Sequence, residues 1–351
     1  MSTGTERIKA LIAGKPLDQY INAATWMHVP AIDRDPDAFA EGIINYAEEY
    51  GSDIVKVQLN AAYLAEAYGE KIEFFENPPL KFQKVKKLYE VKEHVVKGIN
   101  DLAKIDILDV HNNPVIQRDV KAVKKIIDHY QGAKPVLPTL FSSLTWLEVL
   151  TEGGLTAVKE LIAKDKNAVH KALQNLNEVN KRIVDEYVAV GADGFFFATA
   201  FTSPHVVTES EFEEFSRQYD LDVLEHIHKK TWFNMLHIHG NADLYIEKLV
   251  EYPVEAINWE NATFGVDKAH LTSAAKLRSL TDKILIGGTD QFHDYYGSLS
   301  EVEKTFDERL ETLIREIPDR RFIFGAGCSL PLDIPSDSIK LIRKVADKHS
   351  L

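Results

Sequence analysis

The chain has 351 residues, with 41 basic and 54 acidic side chains, a formal net charge of −13 and a single cysteine, Cys328. Hydrophobic residues make up 45% and charged residues 27%, a balance that builds a sizeable core and argues against global disorder. The acidic excess argues against nucleic acid or an anionic membrane as the main partner, because both reward a basic face, yet it leaves room for a small basic pocket.

One thiol forms no internal disulfide, which fits a cytoplasmic protein. Residues 1–16 lack the apolar core of a signal peptide, and no stretch approaches the length of an uncharged membrane span. Residues 5–13 read as a helix stopped at Gly14-Lys15-Pro16. Short apolar runs then alternate with longer helical stretches. The predicted strands are 22–29, 54–60, 135–142, 194–201, 233–240, 256–261, 283–290 and 322–329. Helix-like segments between them include 37–50, 154–190, 209–230, 242–252, 267–280 and 300–317.

Strand–helix alternation means parallel strands with helical crossovers. Eight such units suit a (β/α)8 TIM barrel, one elaborated domain over 1–351, better than an open doubly wound sheet. No GxGxxG turn follows the first strand, which weakens a dinucleotide-binding reading. The stretch 61–134 is too long for one crossover and holds an extra apolar run at 105–110, so it reads as an elaboration over one barrel face. In 54–60, Lys56, Gln58 and Asn60 share one parity while Val55, Val57 and Leu59 share the other. The apolar set then faces the helices and the polar set the lumen; a solvated edge strand is the alternative.

Catalytic groups of such barrels sit at the carboxyl ends of strands. Those ends offer Trp26, Met27 and His28; Gln58 and Asn60; Thr139 and Ser142; Thr199; His237 and His239; Asn258 and Glu260; Asp290 and Gln291; and Cys328. In 236-LHIHG-240 the two histidines point to one face of a strand and Ile238 to the other. A pair of imidazoles is half of a zinc site. Cys328, in 325-GAGCSLPLDIP-335, ends the last strand, which barrel closure brings to the same mouth. His237, His239 and Cys328 would leave a fourth position open, as a catalytic zinc needs. A histidine pair also arises as a satisfied polar layer, and a lone cysteine as a small buried hydrophobe; their meeting at two strand ends favours the metal. Glu260 and Asp290 are candidates for a fourth ligand, a general base or a partner orienting an imidazole. Asp290 also reads as a helix cap. His28 is a candidate substrate contact or proton donor. Trp26, Met27, Gln58, Asn60 and Thr199 are candidate substrate contacts. His205 reads as a lid residue, and the remaining histidines as surface groups.

The segments 7-RIKALIAGKPLDQ-19, 190-VGADGFFFATA-200, 252-YPVEAINWEN-261, 284-ILIGGTD-290 and 325-GAGCSLPLDIP-335, in that order, resemble the uroporphyrinogen decarboxylase superfamily over nearly the whole chain. The resemblance implies a (β/α)8 barrel and is nearest to the corrinoid-dependent methyltransferase branch. Decarboxylases carry an arginine-rich RQAGRY segment after the first strand, where this chain reads 25-TWMHVPAIDRD-35. They carry a catalytic aspartate after the second strand, where this chain has Gln58-Leu59-Asn60, and a histidine where Cys328 stands. The methyltransferase branch holds zinc on a His-x-Cys pair and a later Cys; the matching positions are His237, His239 and Cys328. With histidine for one cysteine the site is one charge more positive. It therefore acidifies a bound thiol further and leaves it a poorer nucleophile. The implied activity is zinc-dependent exchange of a methyl group between a small substrate and a corrinoid carried by a partner protein. Decarboxylation of a carboxylated porphyrinogen is the alternative; metal-dependent hydrolysis and a catalytically silent binding protein rank below. Family members are often dimers, so a homodimer is part of the expectation.

Overall fold

The computed structural model describes residues 2–16, 20–84, 86–261 and 265–350. Positions 17–19, the end of the opening segment quoted above, lie outside the described residues. Ten strands are present among the described residues: β1 (Asn22–Ala24), β2 (Val55–Val57), β3 (Lys71–Phe74), β4 (Tyr89–Glu93), β5 (Val136–Phe141), β6 (Phe196–Thr199), β7 (Met235–Ile238), β8 (Ala256–Trp259), β9 (Ile284–Thr289) and β10 (Phe322–Ala326). Eight of them form one parallel sheet in the order β1-β10-β9-β8-β7-β6-β5-β2. Helices connect them, and the sheet curls into a nearly closed barrel within a single α/β domain, as the alternation predicts.

The seam lies between β1 and β2, the two ends of the sheet order. Asp53 bridges it. Its backbone N–H donates to the Ala23 carbonyl at 2.9 Å, and its Oδ2 accepts from the Ala23 N–H at 2.8 Å. The Asp53 carboxylate also accepts from Arg343 at 3.0 Å and from Tyr20 at 3.2 Å, and pairs with Arg7. A buried carboxylate with this many donors is held without an unpaired charge.

Two apolar cores result. One lies between the barrel and its helices and includes Val55, Val57, Leu59, Phe197, Leu236 and Ile257. The other fills the lumen with Ala24, Ile54, Phe233, Met235, Ala256, Ile284, Ile286 and Ile323. The helix Gly4–Ile12 closes the lumen at the strand starts by inserting Ile8 and Leu11, and Thr3 with Glu6 forms its capping box.

Several predicted boundaries shift for local reasons. The stretch 154–190 divides into Gly154–Lys164 and Lys166–Ala189 at Asp165, whose side chain caps the second helix. The stretch 242–252 shortens to Ile246–Leu249, and 267–280 begins only at Ala274, after the Ser273 cap. The first strand leaves the ladder after Ala24 and carries Trp26 and His28 onward in irregular chain. Among the described residues, three helices of eight residues or more have no predicted counterpart: Pro114–Tyr130, Ser143–Leu150 and Ser336–His349. Asn113 before Pro114 was a legible start signal for the first of these.

Within 61–134, β3 and β4 form an antiparallel hairpin whose connection includes the short helix Leu80–Lys84. The apolar run 105–110 is not a strand. Ile105 and Val110 bury themselves against the helical jacket, while Tyr68 holds the Asp106 carbonyl at 2.8 Å.

Candidate metal centre and cavity

Along the lumen the strands change character. On β7 the inward residue passes from Met235 to His237, on β8 from Ala256 to Asn258, and along β2 from Ile54 to Lys56. At the polar end a cavity of about 580 Å³ opens. His237, His239 and Cys328 line it together, with one ligand atom from each within 4.8 Å of the others. His237 and Cys328 are buried, and His239 is exposed at the rim.

Donor and acceptor rules fix the orientation of His237. The Asn258 amide nitrogen donates to the Ile286 carbonyl at 2.9 Å and to the Ala326 carbonyl at 3.1 Å. Its Oδ1 is thereby turned to His237 Nδ1, 2.6 Å away, and an amide oxygen only accepts. Nδ1 therefore carries the proton, and Nε2 presents its lone pair. The pairing follows from sheet register, because His237 and Asn258 are lateral partners in the β7–β8 ladder.

The Cys328 thiol is acidified by its surroundings. Burial raises its pKa, but the Lys86 ammonium and the neighbouring His237 and His239 outweigh that and hold it well below the usual thiol range. The contact with Cys328 and the nearby Glu260 carboxylate raise His239 above the usual imidazole value. The Lys86 ammonium lies 3.4 Å from Cys328 Sγ and 3.3 Å from the Ser329 carbonyl. Two glycines let the last strand come this close. A Cβ at Gly325 would lie 2.0 Å from the Ala24 carbonyl oxygen, and one at Gly327 would lie 2.7 Å from Glu260 Cα. Two imidazoles and one thiolate form a nitrogen–sulfur donor set. That set fits zinc in charge and softness, whereas calcium and magnesium take oxygen ligands.

The wall beside the triad is aromatic. Trp26 meets Phe196 edge to face at 5.4 Å, and Phe196 stacks on the His237 ring at 5.1 Å. Phe141 and Phe201 complete it. Beyond Phe196 lies a polar group. Lys56 bonds to Gln58, and Gln58 Nε2 lies 2.7 Å from His28 Nε2. Burial, with Lys56 and Lys86 nearby, depresses His28 to about 3. This depression favours the neutral imidazole near pH 7, facing the cavity beside Gln58.

The candidate residues divide. Trp26, His28, Gln58, Thr199, His237, His239 and Cys328 line one cavity. Thr199 takes the parity of Phe197, whose side chain faces the jacket, so it borders the cavity at the end of β6. Met27 and Asn60 stand apart from it. Met27 has the opposite parity to Trp26 and His28 and packs on the outer core. Asn60 lies beyond the end of β2, where it donates to Asp33 at 3.1 Å and accepts from the Ala62 N–H at 2.9 Å. Glu260 accepts from Gln291 at 3.0 Å, and its other oxygen sits 4.0 Å from His239 Nδ1, beyond direct hydrogen-bond reach. Asp290 caps the turn after β9, accepting from the Phe292 N–H at 2.8 Å and bonding His293 at 2.8 Å. His205 reaches Asp243 at 2.8 Å on the neighbouring mouth loop.

Sequence reasoning missed Lys86, which arrives from the hairpin connection, and left Lys56 and Asn258 without roles. Alternation places the last two inside the lumen. Only the sheet register shows what each one touches.

The chain matches the uroporphyrinogen decarboxylase (URO-D) family over residues 2–349. No curated protein matches it. Among solved structures it is similar to a methyltransferase from Methanosarcina mazei, at 17% identity and a TM-score of 0.80, covering 99% of both chains. It is also similar to a B12-independent methionine synthase from Shewanella sp. W3-18-1, at 14% identity and a TM-score of 0.54, covering 95% of this chain and 94% of that one. A putative vitamin-B12 independent methionine synthase from Listeria monocytogenes gives 10% identity and a TM-score of 0.57, covering 93% of this chain and 96% of the other. At these identities the likeness is one of fold.

Proposed function

The chain belongs to the uroporphyrinogen decarboxylase family, and on that premise we propose that it is a zinc-dependent methyltransferase. It exchanges a methyl group between a small substrate bound in the barrel mouth and a corrinoid carried by a partner protein. The observation that carries the reading is the convergence of His237, His239 and Cys328 on one cavity large enough for a small molecule. The similar structures, a methyltransferase, a B12-independent methionine synthase and a putative one, support methyl transfer as the class of reaction.

His237 Nε2, a nitrogen of His239 and the Cys328 sulfur would hold the ion. When bound, zinc lowers the pKa of a coordinated thiol or water and leaves a position for it. The chain's own residues do the rest. Asn258 keeps the His237 lone pair directed inward. Glu260 stands beside His239. Trp26, Phe141, Phe196 and Phe201 shield the reacting end from water, which strengthens every electrostatic interaction there. A porphyrinogen with many carboxylates finds few cations here. The arginine-rich segment is absent, and the cavity offers Lys56 and Lys86.

Two measurements test the reading. Protein purified without chelator should carry about one zinc per chain, as one triad predicts. Methylcobalamin should be demethylated in the presence of a thiol acceptor, with activity lost in His237→Ala and Cys328→Ser. Metal-free protein that turns over a porphyrinogen instead would overturn it.

A further inference from the structure

We propose that Lys86 is a positioning residue that acts through Cys328: its ammonium donates to the sulfur that would hold the metal, so the β3–β4 hairpin sets how strongly that sulfur binds the ion. This rests on the zinc reading above and adds an element outside the barrel sheet that controls the site.

The helix Leu80–Lys84 ends in a pair of bonds. The Lys87 N–H donates to the Phe82 carbonyl at 2.8 Å, and the Lys86 N–H donates to the Gln83 carbonyl at 3.2 Å. These are the two bonds of a Schellman motif, whose last residue but one lies in the left-handed region. Here that residue is Lys86, with φ +54°. Glycine takes this conformation without steric cost, so a lysine sits there against its backbone preference. Such an outlier points to a role for the side chain. The Lys86 ammonium lies 3.4 Å from Cys328 Sγ, 3.3 Å from the Ser329 carbonyl and 3.5 Å from the Ser329 hydroxyl. No carboxylate pairs with it among the described residues, and the Phe292 ring backs it at 5.2 Å. The lysines on either side turn elsewhere: Lys84 faces Asp333 at 4.0 Å and Lys87 faces Glu90 at 4.0 Å. Lys86 alone of the three lines the cavity.

A thiolate sulfur has several lone pairs, so it can bind a metal through one and accept an N–H through another. An ammonium donor draws charge from the sulfur, which weakens its donation to the ion and leaves the ion more positive. A coordinated thiol or water then loses its proton more readily. Histidine at position 239, in place of a second thiolate, moves the site in the same direction. Because β3 and β4 form a separate sheet, the electronic state of a site in the barrel depends on where that hairpin places one side chain.

Cobalt in place of zinc makes the sulfur visible by its thiolate-to-cobalt charge-transfer band in the near ultraviolet. In Lys86→Gly that band should move to longer wavelength than in the wild type, because the sulfur lone pairs lose the ammonium that stabilises them. Lys86→Met, which keeps the length of the side chain, should move it as far. Lys86→Arg keeps a charged donor and should restore most of the wild-type position. Lys84→Met removes a neighbouring charge and should leave the band where it is. Glycine suits the left-handed turn, so Lys86→Gly should melt no lower than the wild type, which separates loss of the donor from loss of fold. A band unmoved in Lys86→Gly and Lys86→Met, or moved as far by Lys84→Met, overturns the proposal and leaves the zinc reading standing. A wild-type protein that shows no charge-transfer band with cobalt overturns the metal reading and the role of Lys86 with it.

Discussion

The two ends of the barrel lumen are built from the same strands and do opposite work. At the strand starts, Ile54, Met235, Ala256, Ile284 and Ile323 pack on Ile8 and Leu11 of the N-terminal helix, and the end is sealed. Two residues further along, the same inward parity delivers Lys56, His237 and Asn258, and the end is open. The closed end gains stability from apolar burial. The open end gathers imidazoles, an acidified thiol and lysines, which hold one another in place by specific hydrogen bonds. Mutations at one end should therefore leave the other end's property nearly intact.

The largest effect is expected at the open end. Cys328→Ser should weaken zinc binding roughly a thousandfold, about one quarter of the 10–16 kcal/mol that a four-ligand site supplies. Inductively coupled plasma analysis after dialysis against graded chelator reads this, and the melting temperature of the metal-free protein should barely move. Leu11→Ala should do the reverse, costing about 2–4 kcal/mol of unfolding free energy in urea while zinc affinity stays within a factor of two. A large loss of zinc affinity in Leu11→Ala would show that the two ends are coupled. Asn258→Leu removes the hydrogen bond that selects the His237 tautomer, and a ten- to hundredfold loss in zinc affinity is expected. Asn258→Asp should not restore it fully, since its carboxylate would face the Ile286 and Ala326 carbonyls.

A smaller effect concerns acid. The folded pKa of His28, about 3, lies below the unfolded value near 6.5. Below pH 6.5 the unfolded chain binds the proton and the folded chain does not, so stability is full above that pH and falls as pH drops toward 3. At pH 5.5 the wild type should have lost about 1.4 kcal/mol relative to pH 7.5, and His28→Gln should keep most of it. Identical pH dependence in the two proteins would contradict the neutral, buried imidazole. The smallest expected change is at the closed end. Thr3→Ala removes a capping box and should cost about 1 kcal/mol in urea, with no change at the mouth.

What the sequence by itself determined were the properties that depend on neighbours along the chain. Alternating strands and helices imply a parallel barrel. The spacing of His237 and His239 puts both on one face of a strand, and the parity of Lys56 and Gln58 points them inward. Period-two geometry is local, so these readings need no fold. The same geometry separates Met27 from Trp26 and His28, and applying it to that segment would have removed Met27 from the site. Relations across the chain had to wait for the tertiary structure. Asn258 reaches His237 because β7 and β8 pair in one particular register. Lys86 reaches Cys328 across 242 residues because the β3–β4 connection passes the barrel mouth. Sheet register and loop reach are set by long-range packing, which leaves no periodic mark on the chain. They decided which of the polar residues at the strand ends became partners, and that Asn60 and Asp290 bond within the turns that follow their strands.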